Sequence, residues 1–166
     1  MLFRICLEKS TIFGRQIQEV REIALRRNFE TGSGIVEERA VLPLYHEHLA
    51  ANMKMGPRRM KVIVDGGNGV GGFVGAPLYR SLGCEVIELF CEPDSRFPHH
   101  HPDPTIVENM RYAIENVKKQ GADLGVAFDG DGDRIGVVDE RGGIIWGDQL
   151  MVIFSRAILR EHPGAT

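Results

Sequence analysis

Two kinds of apolar pattern alternate along this chain. Residues 61–64, 84–90, 124–128 and 135–138 are short runs rich in Val, Ile, Leu and Phe, each too brief for a helix and suited to a buried pleated surface. The stretch from Gly72 to about Leu82 reads as a helix, and so does 105–120, where Glu108 stands in capping-box position behind Thr105. Strand 61–64, the helix to about Leu82 and strand 84–90 make a βαβ unit, which predicts parallel neighbours in a sheet covered on both faces. After Val138, Asp139-Glu-Arg-Gly-Gly143 reads as a hairpin turn and residues 144–146 as a returning strand. Gly147-Asp148 then opens a helix through about Arg160, which His162-Pro-Gly stops.

The first part of the chain is patterned differently. Residues 1–7 read as a strand, 8–11 as a turn, and 12–27 as an amphipathic helix with Ile12, Gln16, Val20, Ile23 and Ala24 along one side. Such a unit cannot bury its faces alone. Residues 28–38, containing Thr31-Gly-Ser-Gly34, have a linker's composition and hand over to a second helix at about 39–53. His46 and His48 lie two apart on that helix, on different faces, so a shared metal is not expected and both read as solvated.

Composition narrows the class. The chain has 166 residues, 43% of them apolar, and a formal net charge of −3, enough for one real core with further pieces attached. A small negative balance without a basic stripe gives no electrostatic case for nucleic acid. No apolar run approaches the length of a membrane span, and a soluble, cytoplasmic protein is expected. Cys6, Cys84 and Cys91 are scattered and odd in number, which suits reduced thiols better than a disulfide framework.

The candidate chemistry lies between the last two long strands, in Asp129-Gly-Asp131-Gly-Asp133-Arg134. Alternate side chains of an extended run point the same way, and glycines at 130 and 132 let the backbone curl so that three carboxylates converge. Three such anions repel one another without a cation. Mg²⁺ or Ca²⁺ is the expected occupant, since both prefer oxygen and neither His nor Cys lies in the loop. Arg134 offsets the excess negative charge and has the fork to hold a phosphate. Asp129, Asp131, Asp133 and Glu140 also fall at positions 1, 3, 5 and 12 of an EF-hand, a Ca²⁺-binding alternative. Against it, position 6 is Arg134 where that loop needs glycine, and the flanks read as strands.

Two more loops carry signals. In Asp65-Gly-Gly-Asn68-Gly-Val-Gly-Gly72 the glycines at 67, 69 and 72 have dinucleotide spacing, with Glu88 about 20 residues on, so a nucleotide-binding domain is another alternative. Asp65 and Asn68, however, place acceptors where a pyrophosphate wants bare N–H groups. The loop 91–104 is long, stiffened by four prolines, and holds His99, His100 and His101, which cannot all face one ion from an extended backbone.

With Asp65-Gly-Gly-Asn-Gly-Val-Gly, Phe97-Pro-His-His-His-Pro-Asp-Pro104 and Phe128-Asp-Gly-Asp-Gly-Asp-Arg134 in this order, the chain resembles the α-D-phosphohexomutases, specifically the bacterial phosphomannomutase/phosphoglucomutase branch. The resemblance implies a three-layer α/β/α fold on a mixed, mostly parallel sheet. It implies that 1–38 are the tail of a first domain and linker, 39–145 a metal-binding second domain, and 146–166 the first helix of a third. The family's Ser-His-Asn-Pro segment, which carries its phosphoserine, is then expected just before residue 1, so the isolated chain is expected to be inactive. Arg4 stands where family members usually have a lysine implicated in proton transfer, and a guanidinium, which stays protonated, is a poor base. By resemblance, Asp129, Asp131 and Asp133 hold Mg²⁺, Arg134 stabilises phosphoryl oxygens, and His100 and His101 help shape the cleft. The implied reaction moves a phosphoryl group between the 1- and 6-positions of mannose or glucose. The end segments, left with open apolar faces, are expected either to pair two copies of the chain or to fold back in a position foreign to the family.

Overall fold

A computed structural model describes residues 5–165 and divides the chain into two compact units, Met1–Ala40 and Val41–Thr166. The first holds a two-stranded antiparallel hairpin, β1 (Cys6–Leu7) with β2 (Ser10–Thr11), and helix α1 (Arg15–Arg26). Residues 8–11 were expected as a turn. Glu8, at φ 54°, tightens the reversal so that Ser10 and Thr11 already return as a strand. Helix α1 accordingly starts three residues later than its periodicity suggests, after Gly14. Its Val20 and Ile23 are 43% and 47% exposed. The proposed strand position of Leu2 and the lysine-like position of Arg4 lie outside the described residues.

The second unit is a five-stranded sheet with order β4-β3-β5-β6-β7, built from β3 (Lys61–Asp65), β4 (Glu85–Leu89), β5 (Leu124–Phe128), β6 (Ile135–Asp139) and β7 (Ile144–Ile145). β4, β3 and β5 are parallel, while β6 and β7 are antiparallel to their neighbours, so the sheet is mixed. Alternation sorts the side chains onto two faces. Val62, Val64 and Val126 pack with Ala76 of α3 (Val70–Ser81), whereas Ile63, Ala127 and Val138 pack with Ala113 and Val117 of α4 (Arg111–Gln120). Helices thus cover both faces, and the three layers follow from strands whose successive residues are all apolar. Two further helices, α2 (Leu42–Asn52) and α5 (Gly147–Glu161), complete the elements.

Helix α4 begins later than the sequence suggests. Asp103 Oδ1 accepts both the amide of Thr105 at 3.1 Å and its hydroxyl at 2.7 Å, so Thr105 is held inside a turn and caps nothing. A single 3₁₀ turn, Val107–Met110, follows before α4 proper. His46 also departs from its solvated reading: it is half-buried, and its Nε2 lies 2.9 Å from the Val74 carbonyl of α3.

Connectivity decides where a site can form. From β3 the chain crosses to β4 on one side, then returns past β3 to β5 on the other. The carboxyl ends of β3 and β5 therefore flank a topological switch point, the usual crevice for ligands in open α/β sheets.

Candidate metal centre

At that crevice the turn after β3 and the loop after β5 touch. The Val70 amide donates to the Gly130 carbonyl at 3.1 Å, and a Cβ built on Gly69 would lie 2.7 Å from the same oxygen. Only glycine allows this approach. Gly132 takes φ 75°, the left-handed region, and bends the loop back, with its amide donating to the Asp129 carbonyl at 3.2 Å. Gly130, also expected to curl the backbone, has no positive φ, and a Cβ there would meet only ordinary contacts, 3.5 Å from Pro102 and 3.8 Å from Phe97.

This bend brings Asp129, Asp131 and Asp133 together, one carboxylate oxygen of each within 4.8 Å of the others. Asp129 is buried and the other two are exposed. Burial alone would raise the Asp129 carboxyl, but the Arg134 amide at 3.0 Å and guanidinium Nε at 2.9 Å outweigh it and hold the group below the usual carboxylate range. Asp133 is pushed the other way, first by the charge of Asp131 and then by that of Asp129. The donor set is all oxygen, converges on one point, and carries the mutual repulsion that a hard divalent cation relieves. These residues fit Mg²⁺.

The EF-hand alternative fails on this geometry. The acidic loop closes an antiparallel hairpin in which Phe128 pairs with Ile135, and Glu140 lies past the far end of β6. Five strand residues separate it from the loop by roughly 16 Å. The dinucleotide alternative fails as well. Every amide from 66 to 70 is already committed: to Leu89, Asp65, Phe90, Gly66 and Gly130 respectively. None of these five turn amides is left to cradle a pyrophosphate.

The histidines of the 91–104 loop do not gather round an ion. His99 donates from Nδ1 to Asn68 Oδ1 at 2.7 Å and stacks on Phe90. The His100 side chain is only 9% exposed and reaches Asp65 Oδ1 from Nε2 at 3.0 Å, with Nδ1 3.0 Å from the His101 carbonyl. These contacts fasten the loop to the glycine-rich turn. One product is Asp103, absent from the residues singled out in sequence, which receives Arg134 Nη1 at 3.0 Å. Its sequence signal is its place in the Phe97–Pro104 motif, as an acid held between Pro102 and Pro104.

The comparisons with known proteins place relatives along nearly the whole chain. A family model described as phosphoglucomutase/phosphomannomutase, alpha/beta/alpha domain II matches residues 43–143. A phosphomannomutase/phosphoglucomutase of Pseudomonas aeruginosa is 44% identical over 163 residues, covering 98% of this chain and 35% of that protein. A phosphoglucomutase of Neisseria gonorrhoeae is 41% identical over 165 residues, covering 98% of this chain and 36% of its own length. Among solved structures, a phosphoglucomutase/phosphomannomutase family protein from Burkholderia thailandensis aligns with a TM-score of 0.80 and 44% identity, covering 93% of this chain and 33% of that one. The chain thus spans about a third of the length of these relatives. On the α/β/α layers, the family match and this identity along nearly all of its residues, the chain belongs to the phosphoglucomutase/phosphomannomutase family.

Proposed function

We propose that this chain is the metal-carrying portion of a phosphohexomutase, an isomerase that moves a phosphoryl group reversibly between the 1- and 6-positions of mannose or glucose through a bisphosphorylated sugar. The observation that carries the reading is the convergence of Asp129, Asp131 and Asp133 beside Arg134 at the carboxyl edge of the sheet. Mg²⁺ held by the three carboxylates would neutralise charge developing on the transferred group. Asp129 keeps lone pairs for a cation while each of its oxygens accepts one hydrogen bond from Arg134. The guanidinium, fixed through Nε and Nη1, retains Nη2 for a phosphoryl oxygen, with no acceptor for it among the described residues. No Ser-His-Asn-Pro sequence occurs within the 166 residues, so the phosphoserine and the sugar-selecting groups are assigned to other parts of the complete protein.

The test has two parts. In a coupled assay the isolated chain converts no mannose 1-phosphate or glucose 1-phosphate to the 6-phosphate, because without the covalent nucleophile the two-step route is closed. The complete protein does so with Mg²⁺, and Asp131→Asn abolishes the turnover. Turnover by the isolated chain, or an unaffected Asp131→Asn enzyme, contradicts the reading.

A further inference from the structure

Arg134 is gripped at two points, and the second of them has a mount of its own. Asp103 lies 31 residues earlier in the chain, between two buried prolines, Pro102 and Pro104. Its amide donates to the His101 carbonyl at 2.9 Å, and its carbonyl accepts from the Asn109 side chain at 2.9 Å and the Ile106 amide at 3.3 Å. Thr105 holds the carboxylate by two further bonds to Oδ1. Upstream, His99 and His100 tie the same loop to Asn68 and Asp65. With its backbone donor and acceptor both engaged, Asp103 presents its carboxylate from a rigid frame.

A guanidinium bound only through Nε can turn about that bond. Arg134 Nε already lies 3.8 Å from Asp133 Oδ1, so a freed fork would fold onto the metal carboxylates and give them the N–H groups a phosphate needs. The second contact, at Nη1, fixes the plane and leaves Nη2 open. We propose that Asp103 is a positioning residue: it holds the Arg134 fork off the metal cage and turned toward an incoming phosphoryl group. The inference rests on the phosphoryl role given to Arg134 above.

Charge and position make opposite forecasts here, which makes the idea testable. Asp103 is an anion beside a proposed anion site, so on charge alone its removal tightens phosphate binding. The probe is inorganic phosphate binding to the chain at saturating Mg²⁺, followed by ³¹P NMR, with the Arg134 Nε–H signal recorded alongside. Asp103→Ala is expected to weaken phosphate roughly tenfold, the worth of one charge-assisted hydrogen bond, and to broaden or shift that signal. Asp103→Asn, which keeps an acceptor of the same shape, restores most of the affinity. Asp103→Glu keeps the charge but moves it by one methylene, so it weakens phosphate and serves if the alanine variant does not fold. Thr105→Val, which loses one turn hydrogen bond and leaves the Arg134 contact, changes phosphate little. Phosphate bound as tightly or more tightly by the Ala and Glu variants overturns the positioning role alone. If Arg134→Ala binds phosphate as well as the parent chain, or the parent chain binds none, the functional reading falls and this inference with it.

Discussion

His100 Nε2 stands 3.0 Å from Asp65 Oδ1, a carboxylate with no solvent exposure at the end of the first strand of the sheet. The other ring nitrogen of His100 faces a carbonyl, so the ring with a proton on each nitrogen is the form that satisfies both partners at once. Its hydrogen bond to Asp65 raises its pKa, against an opposing contribution from burial. Asp65 Oδ2 is buried with no partner among the described residues, so the burial of this charge depends on His100 and the Gly67 amide.

The pH dependence follows in sign. A raised folded-state pKa means that the stabilisation is fully present below the ordinary histidine value of about 6.5 and is lost as pH rises through the folded value. Replacing His100 by Gln is expected to cost about 1–3 kcal/mol near pH 6 and progressively less above it. Thermal melts of both proteins across pH 5.5 to 9, in steps of about half a unit, measure the gap, and a gap that widens with pH contradicts the pairing.

Mg²⁺ binding to the isolated chain is expected to be weak, because two of the three carboxylates are exposed and the three together form an over-charged cage. Calorimetry should find a dissociation constant of order millimolar, with Asp131→Asn and Asp133→Asn each binding far more weakly. Tight binding that survives Asp131→Asn contradicts both the affinity and the site.

Gly69→Ala tests the contact between the two turns. Its φ of −86° suits alanine, so the only obstacle is steric: the new methyl meets the Gly130 carbonyl at 2.7 Å, a backbone atom with little room to retreat. Destabilisation of about 1–3 kcal/mol is expected, together with poorer Mg²⁺ binding as the acidic loop shifts. A melt and a titration matching the parent chain contradict that contact.

Helix α5 carries Ile153, Phe154 and Ile158 at 52%, 51% and 54% exposure. An apolar stripe of that kind rarely stays bare on a soluble monomer, and in isolation two copies are expected to pair through it. Light scattering on the isolated chain should give a dimer that Phe154→Asp returns to monomer. A strict monomer in the parent chain contradicts the pairing.

Much of this protein could be read from residue order. The strands at 61–65, 124–128 and 135–139 follow from short apolar runs that no helix accommodates, and the acidic loop follows from carboxylates spaced two apart with intervening glycines. Those are local signals, each set by neighbours a few residues away. What tertiary structure decided is where distant stretches meet. Thr105 looked like a helix cap because its local pattern suits one, yet a carboxylate two residues before it took its donors and delayed α4. His46 looked solvated because nothing within its own helix marks Val74 as its partner. Asp103 carries no local mark of its role, since its value lies in Arg134, which only the crossover from β4 past β3 to β5 brings within 3.0 Å. Periodicity reports the face a residue is on; only the path of the chain through the sheet decides which charged groups share a crevice.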